Sequence, residues 1–93
     1  MIHSFGDNET EELFDGKRIK KFEKLERIAR RKLEMLNAAV SVTDLKVPPG
    51  NRLEQLKGKR SKFYSIRIND QWRVCFIWKD GGAYDVQIED YHS

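Results

Sequence analysis

The chain has 93 residues, 39% of them hydrophobic, with two Trp, five Phe and three Tyr; that suits one compact domain, 1–93, and leaves no length for a second. Its single cysteine, Cys75, excludes a disulfide framework or a multi-cysteine zinc site, no apolar run approaches the roughly 18 residues of a membrane span, and Met1-Ile2-His3-Ser4-Phe5 lacks the features of a signal peptide, so a reduced, cytoplasmic setting is expected. The net charge of +3 hides a segregation: residues 1–16 carry five acids and no base, 17–32 carry nine Lys/Arg against Glu23 and Glu26, and 46–79 carry nine against Glu54 and Asp70.

In chain order, Ile2-His3-Ser4-Phe5 reads as a short strand ended by Gly6-Asp7-Asn8. Asp7 or Asn8 can cap a short helix running to about Asp15, with Glu9, Glu11 and Glu12 near its positive end. A longer helix follows. Phe22, Leu25, Ala29, Leu33, Leu36 and Val40 recur at three- and four-residue steps, widened by Ile28, Met35 and Ala39. Lys20, Lys21, Lys24, Arg27, Arg30 and Arg31 fall mostly on the opposite face. Ser41-Val42-Thr43-Asp44 ends this helix or opens another turn. Pro48-Pro49-Gly50-Asn51 forbids regular structure, because two prolines remove donors and fix φ. Residues 44–61 are therefore expected to be mainly loop, carrying Arg52, Glu54, Lys57, Lys59 and Arg60.

From Lys62 the hydrophobic period becomes two, giving strands over Lys62–Ile68, Trp72–Trp78 and Ala83–Glu89. Asn69-Asp70-Gln71 and Asp80-Gly81-Gly82 supply the turns. Parity sets the register. Three-residue loops pair Ile66 with Val74, Trp78 with Tyr84, Phe76 with Val86 and Val74 with Ile88, whereas two-residue loops would bring Arg67 to the core face. The helices then cover Ile66, Ile68, Val74, Phe76, Val86 and Ile88. The class is α+β: a short N-terminal strand, two helices, then a three-stranded antiparallel meander.

The same register puts Arg67 opposite Arg73, and Arg73 opposite Glu89, on the face away from the helices, with Cys75 and Ile77. Facing like charges are unfavourable. Glu89 can relieve one arginine, but the pair suits a visiting anion, since a guanidinium fork grips phosphate oxygens in two places. The plain alternative is a surface Arg–Glu ladder worth little. Glu89-Asp90-Tyr91-His92 ends the last strand beside the start of the strand carrying Arg73. These side chains suit RNA: arginine and lysine on phosphate, Tyr91 stacking on a base, His92 moving protons near neutral pH. A polar chain end is otherwise often frayed and idle, and a Lys/Arg-rich helix face is often merely solvated.

Several segments together resemble the HigB toxins of the RelE/ParE superfamily. They are Met1-Ile2-His3-Ser4-Phe5, Pro48-Pro49-Gly50-Asn51-Arg52-Leu53-Glu54, Leu56-Lys57-Gly58, the run from Tyr64 to Phe76 that includes Asn69-Asp70-Gln71-Trp72-Arg73, and Ile88-Glu89-Asp90-Tyr91-His92. The resemblance implies a RelE-like microbial ribonuclease fold and a ribosome-dependent endoribonuclease that cuts mRNA in the A site. It also implies attack by the ribose 2′-hydroxyl without metal or cofactor. Lys57 and Arg73 would stabilise the phosphorane, His92 and Asp90 would move protons, and Tyr91 would orient the nucleotide. Glu54 stands where many relatives carry a histidine; it can serve as base or pair with Lys57 or Arg52. Arg52 and Arg67 are secondary phosphate contacts, chosen from face and charge. Lys20, Lys24 and Arg27 represent the basic helix as a ribosomal RNA contact or, alternatively, an antitoxin landing surface. The implied partners are a HigA-like helix-turn-helix antitoxin, the 70S ribosome with mRNA, and operator DNA through the antitoxin only. A ParE-like gyrase inhibitor and a non-catalytic RNA- or ribosome-binding module are the rival readings.

Overall fold

A computed structural model describes residues 1–91. Helix α1 spans Asn8–Phe14 and is capped by Asp7, whose carboxylate accepts from the Thr10 amide at 2.7 Å. Glu9 and Glu11 occupy its first turn, where the helix dipole favours acids. Leu13 and Thr10 face inward, and the Thr10 hydroxyl accepts from the Ile88 amide at 3.0 Å. Gly16, with φ of 95°, turns the chain away in a conformation that favours glycine.

The expected long helix is divided. A 3-10 turn over Lys20–Leu25 buries Phe22 and Leu25, which share a side because this turn repeats every three residues. Helix α2, Glu26–Ala38, then buries Ala29, Leu33 and Leu36. Val40 does not join the stripe. The chain becomes extended at Ala39, with ψ of 138°, and leaves Val40 80% exposed. Ser41 and Asp44 form a capping box that opens another 3-10 turn, Val42–Lys46. Arg30 is a structural cation: its Nε donates to the Leu13 carbonyl at 2.9 Å and its Nη2 to the Lys17 carbonyl at 3.1 Å. It thereby ties α2 to the Leu13 carbonyl, which also accepts from the Gly16 amide, and to the chain just beyond α1.

Four antiparallel strands follow in sheet order β1-β2-β3-β4: β1 Glu54–Gln55, β2 Phe63–Arg67, β3 Trp72–Lys79 and β4 Gly82–Asp90. Strand β1 corrects the expectation of loop over 44–61. The segment is a series of 3-10 turns with one two-residue strand that pairs Glu54 with Ser65 and Gln55 with Tyr64. The turns are held by side-chain bonds and by the buried Leu45 and Asn51, which hydrophobic periodicity does not reveal.

The first hairpin has the expected register, with Ile66 opposite Val74 and Arg67 opposite Arg73. Its loop is fixed by Asn69, whose side-chain oxygen accepts from the amides of Gln71 at 2.9 Å and Trp72 at 2.8 Å. The second hairpin differs. Lys79 pairs with Gly82 across a two-residue turn, Asp80-Gly81, in which both φ angles are positive (50° and 74°). Asp-Gly favours this turn because its twist matches that of the strands. Trp78 consequently faces Ala83 rather than Tyr84. Asp85, at φ of 52°, then forms a bulge that places Asp85 and Val86 against Phe76 alone, and the expected pairs Val74–Ile88 and Arg73–Glu89 resume.

The N-terminal segment adds to the outer edge of β4, through parallel bridges Ile2–Ala83 and Phe5–Val86. The Ser4 hydroxyl accepts from the Asp85 amide at 2.9 Å and so fills the bulge. The core lies between helices and sheet. Ile66, Ile68, Val74, Phe76, Val86 and Ile88 are all buried there, against Phe22, Leu13, Leu33 and Leu36. Trp72 meets Phe22 edge-on at 5.6 Å between ring centroids, so the 3-10 turn braces the end of the sheet where Arg73 begins its strand. Each such large side chain contributes about 1.5–3 kcal/mol by leaving water.

A basic cleft at the end of the sheet as candidate active site

The face of the sheet away from the helices carries a cleft of about 470 Å³. Arg52, Glu54, Arg67, Arg73 and Tyr91 line it, all of them expected from the sequence, together with Ser65, Asn69 and Asp70, which were not. β1 contributes Glu54, the facing positions of β2 and β3 contribute Arg67 and Arg73, and the chain beyond β4 contributes Tyr91.

The two facing arginines are held differently. Arg67 donates from Nε to the Asn69 carbonyl at 3.1 Å and pairs with Asp70. Arg73 is the more enclosed, its side chain 20% exposed. Its guanidinium lies 4.7 Å from the centre of the Tyr91 ring and its Nη1 is 4.0 Å from Glu54. Its Nε is the one fully buried side-chain nitrogen or oxygen without a hydrogen-bond partner among the described residues. Such a donor is costly to leave unmade, and a shift of the Tyr91 ring packed on the guanidinium would open it to an anion in the cleft.

Glu89 acts on Arg73 through its charge alone, which Arg73 in turn favours, and gives its hydrogen bonds elsewhere. Its two carboxylate oxygens are taken by Arg60, with Nη1 to Oε1 at 2.7 Å and a second contact from Nη2 to Oε2. Arg60 reaches them across the Phe63 ring, 4.8 Å from its centroid. The sequence left Arg60 in a loop and gave no signal of this pairing. Cys75 lies fully buried on the same face. Burial above all, with the nearby Glu89 charge, pushes its thiol up to about 11, so it is neutral at pH 7 and no nucleophile. The bond from Arg60 holds the Glu89 carboxyl below its ordinary value, against partial burial. A carboxylate with a depressed pKa stabilises the fold above its unfolded pKa and loses that contribution as pH falls through its folded value. Wild type should therefore lose stability below about pH 4.3 more steeply than Glu89→Gln; parallel acid-unfolding curves would remove the pair from the stability account.

Arg52 reaches the cleft from a left-handed backbone position, φ 45°, just past Asn51. Asn51 is fully buried; its side-chain NH₂ donates to the carbonyls of Leu45 at 3.1 Å and Val47 at 3.4 Å, and its oxygen accepts from Lys32 Nζ at 2.6 Å. Burial first, and Arg31 second, lower the Lys32 ammonium pKa.

The remaining expected residues lie outside the cleft lining. Lys57 is exposed beside the 3-10 turn Gly58–Arg60, two residues beyond β1. Asp90 ends β4 opposite Trp72 and accepts from Gln71 Nε2 at 3.1 Å. Gln71 also accepts the Tyr91 amide through its carbonyl, so this residue fastens the end of β4 to the first hairpin. Its role was not anticipated; the Asn69 side chain that shapes its loop was legible as a turn residue. His92 lies outside the described residues. Lys20, Lys24 and Arg27 are exposed on the 3-10 turn and the start of α2. Arg27 borders a separate depression with Arg30, Arg31, Glu26 and Glu34. The two basic blocks therefore make two surfaces.

The fold is that of RelE-like toxins. The whole chain superposes on 99% of a chain in the YoeB–YefM complex from Staphylococcus aureus, with a TM-score of 0.61 and 16% identity. Residues 3–92 match the family model of the RelE-like toxin HigB of type II toxin–antitoxin systems, and the chain belongs to that HigB-like family. Toxin HigB-1 of Vibrio cholerae serotype O1 is 46% identical over 61 residues, which are 66% of this chain and 64% of that protein. Endoribonuclease HigB of Proteus vulgaris is 42% identical over 41 residues, 44% of this chain and 45% of that one.

Proposed function

We propose that this chain is the toxin of a type II pair and an endoribonuclease that cuts mRNA in the A site of the ribosome. The observation that carries this reading is the cleft itself, where Arg52, Arg67 and Arg73 converge beside an aromatic ring and Arg73 holds a buried, unpartnered Nε. Such a constellation suits a phosphodiester flanked by a base: cations for the phosphate and Tyr91 for stacking. In the reaction the ribose 2′-oxygen attacks the adjacent phosphorus and loses its proton to a base. The bond from phosphorus to the 5′-oxygen breaks, and an acid protonates that oxygen. The products are a 2′,3′-cyclic phosphate and a 5′-hydroxyl.

Arg73 stabilises the negative charge of the phosphorane, with Arg67 and Arg52 as further phosphate contacts. Proton transfer is assigned to His92 and Asp90, His92 from the sequence alone. Glu54, 54% exposed and 4.0 Å from Arg73, is the alternative base. Lys57 joins the site if its flexible stem swings toward bound RNA. Ribosome dependence follows if decoding-site RNA bends the message into line, since alignment of the 2′-oxygen with the leaving oxygen is most of what such a reaction needs. A HigA-like helix-turn-helix antitoxin would neutralise the toxin and carry it to operator DNA.

Primer extension on a defined mRNA, with and without programmed 70S ribosomes, tests this. Cuts at one place in the A-site codon that need ribosomes, and disappear when the chain is truncated before Asp90, are expected. Ribosome binding without cuts favours the non-catalytic module. Absence of both leads to a gyrase supercoiling assay. The exposed Lys20, Lys24 and Arg27 form the second surface, assigned here to ribosomal RNA. Reversing all three to Glu should lower ribosome affinity at least about tenfold at low salt and leave unfolding nearly unchanged; undiminished pelleting with ribosomes would exclude that assignment.

A further inference from the structure

Glu89 and Arg73 are direct partners across the β3–β4 pair, yet Glu89 gives its carboxylate to Arg60. Directly opposite side chains have Cβ atoms about 4.5–5.5 Å apart, within easy reach of a glutamate and an arginine. Glu89 is also the better-shielded acid of the two near Arg73. Its side chain is 23% exposed against 54% for Glu54, and the Glu54 contact is long at 4.0 Å. A carboxylate seated on Arg73 from the Glu89 position would hold it far more firmly than Glu54 does. It would also occupy the guanidinium that a phosphate must use.

We propose that Arg60 is a positioning residue for the cleft: by holding Glu89 in a two-pronged pair, it keeps that carboxylate from bonding directly to the Arg73 guanidinium. The path of Arg60 across the Phe63 ring, 4.8 Å from its centroid, fixes the approach of its fork. Its location also fits this task. Residues 57–59 beside it are exposed and Arg60 itself is only half-buried, so the hydrophobic core is complete without it. Neither Arg60 nor Glu89 is among the residues that line the cleft, and the inference rests on the reading that Arg73 receives a phosphate.

The test compares wild type, Arg60→Ala, Glu89→Gln and the double variant. The probe is a short single-stranded RNA whose 2′-oxygens are methylated, so that binding is read without cleavage. Arg60→Ala should weaken binding at least about tenfold, Glu89→Gln should bind as wild type, and the double variant should recover to within about threefold of it. A brace with only a mechanical role predicts the opposite for the double variant, which would then bind no better than Arg60→Ala. That result, or unchanged binding by Arg60→Ala, overturns the proposal. A crystal structure of Arg60→Ala gives a second readout that needs no RNA. Glu89 should be hydrogen-bonded to Arg73, and a Glu89 that stays away from it overturns the inference. If wild type binds no RNA, the phosphate reading of the cleft fails, while that crystal structure still decides the pairing.

Discussion

Replacing Arg73 with Ala should reduce cleavage of ribosome-bound mRNA by about 10²–10³-fold, the usual cost of losing one preorganised charge donor at a reacting centre. The loss should fall on the chemical step in single-turnover reactions with saturating ribosomes, because Arg52 and Arg67 still supply charge for binding. Arg73→Lys should recover little. An ammonium has neither the planar fork nor an Nε donor, and the buried Nε is what the cleft holds without a partner. Arg67→Ala should cost less than Arg73→Ala, since Arg67 is already engaged by Asp70 and the Asn69 carbonyl. The fold should survive each change, as these side chains lie outside the cluster that joins helices to sheet. Arg73→Ala cutting within about threefold of wild type would exclude it from a charge-stabilising role.

A large effect on stability is expected at Asn51, although it is a polar residue in a short 3-10 turn. Its fully buried amide satisfies the carbonyls of Leu45 and Val47 and holds the Lys32 ammonium. Ala at this position leaves a buried carbonyl and a partly buried cation without their partner, and each such loss costs about 1–3 kcal/mol. The sum of about 3 kcal/mol is a large part of the 5–15 kcal/mol that holds a domain together. It should lower Tm by about 12–24 °C in a chain of this length. Urea unfolding measures it directly; a change under about 1 kcal/mol would mean that water replaces the amide without penalty. The variant should also lose cleavage below its melting range, because Arg52, next along the chain, takes its left-handed turn from this anchor.

The fold was legible where burial and period coincide. Ile66, Ile68, Val74, Phe76, Val86 and Ile88 alternate, so their face and the facing pair Arg67–Arg73 follow from parity. The second hairpin escaped that rule because a positive-φ residue, Asp85, inserts one position and lets both a two-residue turn and the distant register hold. Phe22 and Leu25 were assigned to the core correctly but to the wrong helix type, since three-residue spacing serves both. Of the cleft, Arg52, Arg67, Arg73 and Tyr91 could be read from charge, strand register and their place in the chain, and Glu54 from the resemblance to HigB toxins. What could not be read were interactions between segments far apart in sequence. Arg60 and Glu89 are 29 residues apart, and Lys32 and Asn51 are 19 apart. No local pattern distinguishes these residues from other polar residues on a loop or helix.

The bulge at Asp85 divides the β3–β4 ladder into two separately keyed parts, while β2 and β3 keep one unbroken register. On one side, Arg73 and Glu89 are set by the first hairpin and its Asn69 loop; on the other, Lys79 and Gly82 are set by the Asp80-Gly81 turn. A mismatch arising at the distal tip is absorbed before it reaches the arginines, much as an expansion joint spares the span behind it. Residues grafted between Asp80 and Gly81, such as a fluorophore attachment site or a short epitope, would therefore lengthen the hairpin without sliding one arginine past the other. That tip is the natural handle for following this protein on its target while its cleft stays in register.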